Sequence, residues 1–120
     1  MKGFLTICLF SLLSTAVYVS IPEEMVAAEA GICVIEFNAS FNSSNSVAWL
    51  DDLSDCKGKR VDILASPELQ KEHKIVVVPT IILFSDGEEV KRFQANIMMQ
   101  LEASKEDVQD AIDEVLMSAF

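Results

Sequence analysis

Apolar and polar positions alternate along this chain in short blocks, most of them too short for long helices. Phe4 to Leu13 is densely apolar. Val17 to Ile21 is a brief β-prone run. Pro22 follows where a first helical turn tolerates it, and Glu23 and Glu24 suit the positive end of a helix. The stretch PEEMVAAEA therefore predicts a short helix that Gly31 ends. Ile32 to Phe37 is apolar except for Glu36, and its length and β-branched residues predict a buried strand.

The next stretch, NASFNSSNSVAWLDDL, opens with a polar cluster. It predicts a loop leading into a helix capped by Asn42 or Ser43, with Val47, Leu50 and Leu53 on one face and Trp49 extending it. Lys57-Gly58-Lys59 predicts a turn and Arg60 to Leu64 a second strand. Ser66-Pro67-Glu68 combines a cap, a proline at the first helical position and an acid in the first turn, so a short helix from Pro67 to His73 is expected. In KIVVVPTIILF, Pro79 cannot sit inside a central strand. It either begins the strand or follows a cis bond at a sharp corner. Asp86-Gly87 predicts a two-residue hairpin turn, with Glu89 to Phe93 returning and Glu89, Lys91 and Arg92 on an exposed edge. Ser104 to Asp107 reads as a capping box, and Val108, Ala111, Ile112, Val115 and Leu116 mark one buried helix face. The order β-α-β-α-β-α-β-β-α predicts an α/β fold with parallel pairing and an antiparallel edge from the hairpin.

Composition narrows the function. At 120 residues the chain has room for one domain, and 51% apolar residues make a packed core. A net charge of −10 argues against nucleic acid and against an anionic membrane surface. The four glycines are too scattered for a phosphate-cradling loop, and a single histidine excludes a His-rich metal site. No cofactor and no metal are expected. His73, in the charged run KEHK, reads as solvent-exposed. Lys2 followed by an uncharged stretch from Gly3 to Ile21 describes a secretory signal, with Ser14 and Ala16 placing cleavage after Ala16. Residues 1–16 are then the signal and 17–120 the domain. The same stretch is close to the roughly 20 residues that span a bilayer, so an uncleaved anchor is the alternative, and membrane contact is expected only in that case. Either way the domain is exported, periplasmic or secreted.

The order of elements, with FNASFNSSN after a strand, IVVVPT before a strand and the hairpin FSDGEEVKRF, resembles the thioredoxin-like superfamily across Pro22 to Leu116. The resemblance implies a mixed central β-sheet flanked by helices, with a cis-proline corner at Pro79 before the hairpin. The helix after the loop comes out about two turns shorter than in typical members. The two redox cysteines of the family fall on Asn42 and Asn45, so the loop Phe41-Asn42-Ser43-Ser44-Asn45 lacks the thiols that exchange requires. Asparagine is no nucleophile at neutral pH, and Asn42 is expected to cap the helix instead. The resemblance places Glu36 at a buried carboxylate and Arg60 at its basic partner. That suggests a remnant proton acceptor or, since a lone buried carboxylate is costly, a structural ion pair.

With Cys8 lost in the signal, Cys33 and Cys56 remain near the starts of adjacent strands. A disulfide between them is one reading. Against it, Cys33 points to the face opposite Glu36. The pairs Asn38-Ala39-Ser40 and Asn42-Ser43-Ser44 match a glycosylation sequon. Met98 and Met99, with Ile97 and Leu101, read as a packing edge.

Two functions follow. The resemblance implies a peptide groove at Phe41, Val78, Pro79, Thr80 and Ala95, with Val78 offering its backbone to an extended peptide or protein client. The chain is then a non-catalytic binding module and not an enzyme. The alternative is a thiol-disulfide oxidoreductase that uses Cys33, Cys56 or a partner's thiol.

Overall fold

The computed structural model describes residues 31–119. The signal, the run Val17 to Ile21 and the helix expected before Gly31 lie outside the described residues. Strand β1 is Ile32–Asn38, β2 is Lys57–Asp62, β3 is Thr80–Ser85 and β4 is Glu88–Gln94. Helix α1 is Pro67–Glu72 and helix α2 is Lys105–Ser118. The four strands form one mixed sheet in the order β2-β1-β3-β4. Among the described strands only β1 and β2 are parallel; β1 with β3 and β3 with β4 run antiparallel. The element order alone suggested more parallel pairing. The six residues of α1 span only about 9 Å. They do not carry the chain back along the sheet, so β3 starts at the end where β2 finished.

Both faces of β1 are covered, which explains its continuous apolar run. Cys33, Ile35 and Phe37 pack with Ile63, Leu69, Ile82 and Phe84. Val34 packs on the other face with Leu50, Ile81, Leu83, Val108 and Ile112. Helix α2 closes that face. Ser104 accepts from the Asp107 N–H at 3.2 Å, and Asp107 accepts from the Ser104 N–H at 2.9 Å. At the hairpin, Asp86 and Gly87 both have positive φ, 51° and 86°, as a tight two-residue turn requires. Asp86 also exchanges hydrogen bonds with Gly31: its N–H donates to the Gly31 carbonyl and its side chain accepts from the Gly31 N–H, both at 2.8 Å.

Three local expectations fail, each for a long-range reason. No α-helix follows the polar loop. Two 3-10 turns, Ser40–Asn45 and Leu50–Asp52, stand there instead. The Val47 backbone is committed elsewhere: its N–H donates to Glu36 at 2.9 Å and its carbonyl accepts from Arg60 at 2.6 Å. Lys57-Gly58-Lys59 is strand and not turn. A Cβ on Gly58 would come within 3.2 Å of the Leu50 side chain, so this glycine lets the 3-10 turn lie against β2. His73 is half-buried and not fully exposed. Its ring lies 5.4 Å from both Phe37 and Phe84, against the edge of the apolar layer. Nor is Arg92 an idle edge residue: it pairs with Glu89 at 2.8 Å and donates to the His73 and Lys74 carbonyls at 2.8 and 3.1 Å.

Candidate functional site

At the end of β1 the chain breaks into the loop Phe41-Asn42-Ser43-Ser44-Asn45. Asn42 has a non-helical backbone (φ −115°) and is 4% exposed. Its amide nitrogen donates to Asn38 Oδ1 at 3.1 Å, to the Met99 carbonyl at 3.2 Å and to the Val78 carbonyl at 3.4 Å. An amide has two N–H bonds, so one is shared between acceptors. The Asn45 amide donates to Asn42 Oδ1 at 2.8 Å. Asn38 completes the network with bonds to Ser46 Oγ at 2.8 Å and the Asn42 carbonyl at 3.1 Å. Asn42 is therefore a buried cross-tie and not the helix cap the sequence suggested. Ser43, Ser44 and Phe41 face solvent. Both sequon asparagines are buried and engaged in this network.

The Val78–Pro79 peptide bond is cis, and Pro79 immediately precedes β3. Val78, Pro79 and Thr80 are buried, and Ala95 is half-buried. Each carbonyl of the corner has an internal donor. Val77 accepts from the Thr80 hydroxyl at 2.7 Å, Val78 from Asn42, and Pro79 from the Ala95 N–H at 3.1 Å. The Val78 carbonyl thus already accepts one long bond, from the Asn42 amide.

Phe41, Asn42, Val78, Pro79 and Ala95 do come together, and Asn42 brings in Met99, which sequence reasoning placed elsewhere. The turn Asn96 to Gln100 is held by its own bonds: the Asn96 N–H donates to the Gln100 carbonyl and the Met99 N–H to the Asn96 carbonyl, both at 3.0 Å. Asn96 Oδ1 accepts from the Met98 and Gln100 N–H groups at 2.8 and 3.1 Å. Met99 has a φ of 60°. Ile97, Met98 and Met99 are exposed, and only Leu101 packs inward. The packing edge read from the sequence is a surface. The uncharged run QANIMMQ was the signal that this turn lacks the charges of an ordinary solvated loop.

Beneath the loop, Glu36 is 1% exposed and opposite Arg60 in the parallel register. Arg60 Nε lies 3.0 Å from Glu36 Oε1, and the second carboxylate oxygen takes the Val47 N–H. A cleft of 260 Å³ opens beside the pair, lined by Asn38, Ser40, Ser43 and Ser46. Both carboxylate oxygens are engaged, one by Arg60 and the other by the Val47 N–H.

Among the described residues no disulfide joins Cys33 and Cys56. Cys33 lies in the Ile35 and Phe37 layer, while Cys56 packs against the opposite one. Burial chiefly, then the neighbouring Cys33 and Asp55, pushes the Cys56 thiol up from its ordinary value. Such a thiol is a poor attacking group at neutral pH. Among the described residues no cluster of His, Cys, Asp or Glu could hold a metal, and no helix is long and apolar enough to cross a membrane.

The solved structures similar to this one define the class of fold. Reduced thioredoxin pre-protein from Schistosoma mansoni superposes with a TM-score of 0.61 at 21% identity, covering 79% of this chain and 89% of its own. A thioredoxin variant from Halobacterium salinarum gives 0.56 at 21%, covering 74% and 78%. Oxidised mitochondrial thioredoxin 3 from Saccharomyces cerevisiae gives 0.54 at 18%, covering 74% and 83%. No protein-family model matches the chain, and no curated protein sequence matches it. This chain has the thioredoxin fold, an α/β arrangement around a mixed sheet.

Proposed function

We propose that this protein is an exported, non-catalytic binding module that holds a protein client at the face around Asn42. The carrying observation is the amide network itself. Two asparagines hydrogen-bond where thiol exchange would need two sulfurs, and they bind the loop to the corner and to the 96–100 turn. Exposed large apolar side chains stand within two residues of the groups that make that tie. Phe41 is 68% exposed, Val76 77%, Ile97 97% and Met98 67%. A cluster of this kind on a soluble domain marks an interaction surface. Export rests on Lys2 and the uncharged stretch after it, whether residues 1–16 are cleaved or retained as an anchor.

The alternative, thiol-disulfide exchange through Cys33 or Cys56, is weakened by the burial of one thiol and the raised pKa of the other. One pair of assays separates the readings. Reduced, carboxymethylated α-lactalbumin offers an unfolded chain with no thiol to exchange; insulin offers disulfides to reduce. Binding of the first, lost in a Phe41→Ser/Met98→Ser variant, with no reduction of the second, is the expected result. Insulin reduction that disappears in Cys56→Ser overturns it.

A further inference from the structure

A sulfur that solvent reaches is open to oxidation, and a methionine so oxidised becomes a polar sulfoxide. Burial sorts the sulfurs of this fold. Cys33 is buried in β1, and Cys56 is half-buried with a thiol pushed up from its ordinary value. Peroxide attacks the thiolate, so both are slow targets. Met98, Met99 and Met117 are the methionines among the described residues, and all three are exposed. The loop from Asn42 to Asn45 carries no sulfur, but its Asn42 amide bonds the Met99 carbonyl at 3.2 Å. The adjacent pair Met98-Met99 therefore brings two open thioethers to the tie.

The turn that displays them does not use their side chains to hold its shape. The Asn96 N–H bonds the Gln100 carbonyl, and the Met99 N–H bonds the Asn96 carbonyl. Asn96 Oδ1 takes the Met98 and Gln100 N–H groups, and its amide donates to Glu102 at 3.0 Å. Leu101 supplies the inward packing. Oxygen added to either sulfur leaves all of these bonds in place. It does change the surface. A client that covers a sulfoxide takes its oxygen out of water without supplying a donor, which opposes binding.

Resting on the binding reading above, we propose that Met98 and Met99 form a reversible oxidation site, at which peroxide makes sulfoxides that shut off client binding while the fold stays intact. At each sulfur one peroxide oxygen is transferred: the O–O bond breaks, an S–O bond forms and the other oxygen leaves as water with both protons. The sulfur gives up two electrons and the peroxide takes them. A methionine sulfoxide reductase supplied with a dithiol reverses the step. The oxygen then leaves as water and the dithiol becomes a disulfide.

Met117 provides the control. It is as open to solvent as Met98, 74% against 67%, but it lies in the last turn of α2, about 18 Å along the helix from Lys105. The full chain as exported is treated with hydrogen peroxide, catalase removes the excess, and binding of reduced, carboxymethylated α-lactalbumin is compared before and after. Peptide mass spectra should show one added oxygen on each of Met98, Met99 and Met117, while Cys33 and Cys56 still alkylate once the chain is denatured. Binding should fall by about tenfold with circular dichroism unchanged, and the reductase with dithiothreitol should restore it. Met117→Leu should lose binding on treatment as the parent chain does. Met98→Leu/Met99→Leu should keep after peroxide whatever binding it shows before. Binding that survives peroxide in the parent, or that Met117→Leu protects, overturns the switch and leaves the binding module standing. A collapsed dichroism signal overturns it too, because unfolding then accounts for the loss. If the untreated chain does not bind at all, the binding module is overturned, and the switch with it.

Discussion

The Asn45 side-chain amide donates a 2.8 Å hydrogen bond to the Asn42 side-chain oxygen, so the two loop positions are cross-linked without sulfur. The link is polar, and it extends past the loop. The far side of the Asn42 amide reaches two backbone carbonyls that are distant in sequence, those of Val78 and Met99. A single side chain thereby ties the loop to two backbone carbonyls that lie outside the strands.

Replacing that side chain should loosen all three. Asn42→Ala leaves buried acceptors without their donor, at a cost of about 1–3 kcal/mol. Urea denaturation should show a lower midpoint with an unchanged slope. Amide exchange should quicken across Ile97 to Gln100 before it does in β1 or β3. Equal protection throughout would mean that the turn holds its place by its own bonds alone.

Removing Arg60 strands a buried carboxylate. Arg60→Ala should cost about 2 kcal/mol, less than the roughly 3–5 kcal/mol of a fully enclosed pair, because 43% of the Arg60 side chain is in solvent. The double variant Glu36→Gln/Arg60→Ala should recover part of the loss, since no charge is then left behind. A double variant as unstable as the sum of its two singles would show that the residues act independently.

Acid should weaken the tether at the other end of the sheet. The Arg92 hydrogen bond holds the Glu89 carboxyl below its ordinary 4.5. A lowered folded-state value means that this contribution is present in full above the unfolded value and is lost as pH falls through the folded one. The chain should therefore lose stability below about pH 4.5. Glu89→Gln should flatten that part of the curve in thermal melts recorded from pH 6 down to about pH 2. A variant with the wild-type slope would assign the acid loss to other carboxylates.

Cys56 should alkylate slowly. Its thiol is raised above 9.0 by burial and by Cys33 and Asp55, so iodoacetamide labelling should still be accelerating at pH 9. Cys33, buried in β1, should label only after denaturation. Rapid labelling of Cys56 at pH 7 would revive the thiol reading.

The legible features were those written locally. The Asp86-Gly87 turn, the Ser104 to Asp107 box, the apolar run of β1 and the helix that starts at Pro67 each depend on neighbours within a few residues. The missing helix after the loop depends on Glu36 and Arg60, which take the Val47 backbone from 11 and 13 residues away. The strand at Gly58 depends on Leu50, and the burial of His73 on Phe37 and Phe84. At the candidate site the loop and corner were visible as motifs. Met99 was not, because its part is played by a backbone carbonyl, which carries no residue signature.

Gly31 and Asp86 clasp each other at one end of the sheet, while Phe37 pairs with Thr80 and Asn38 with Asp62 at the other, beside the Asn42 tie. Strand β1 separates the two ends by about 20 Å. The described fold thus begins at the pole opposite the Asn42 tie. The first described residue and the Asn42 tie therefore have opposite polarity along β1.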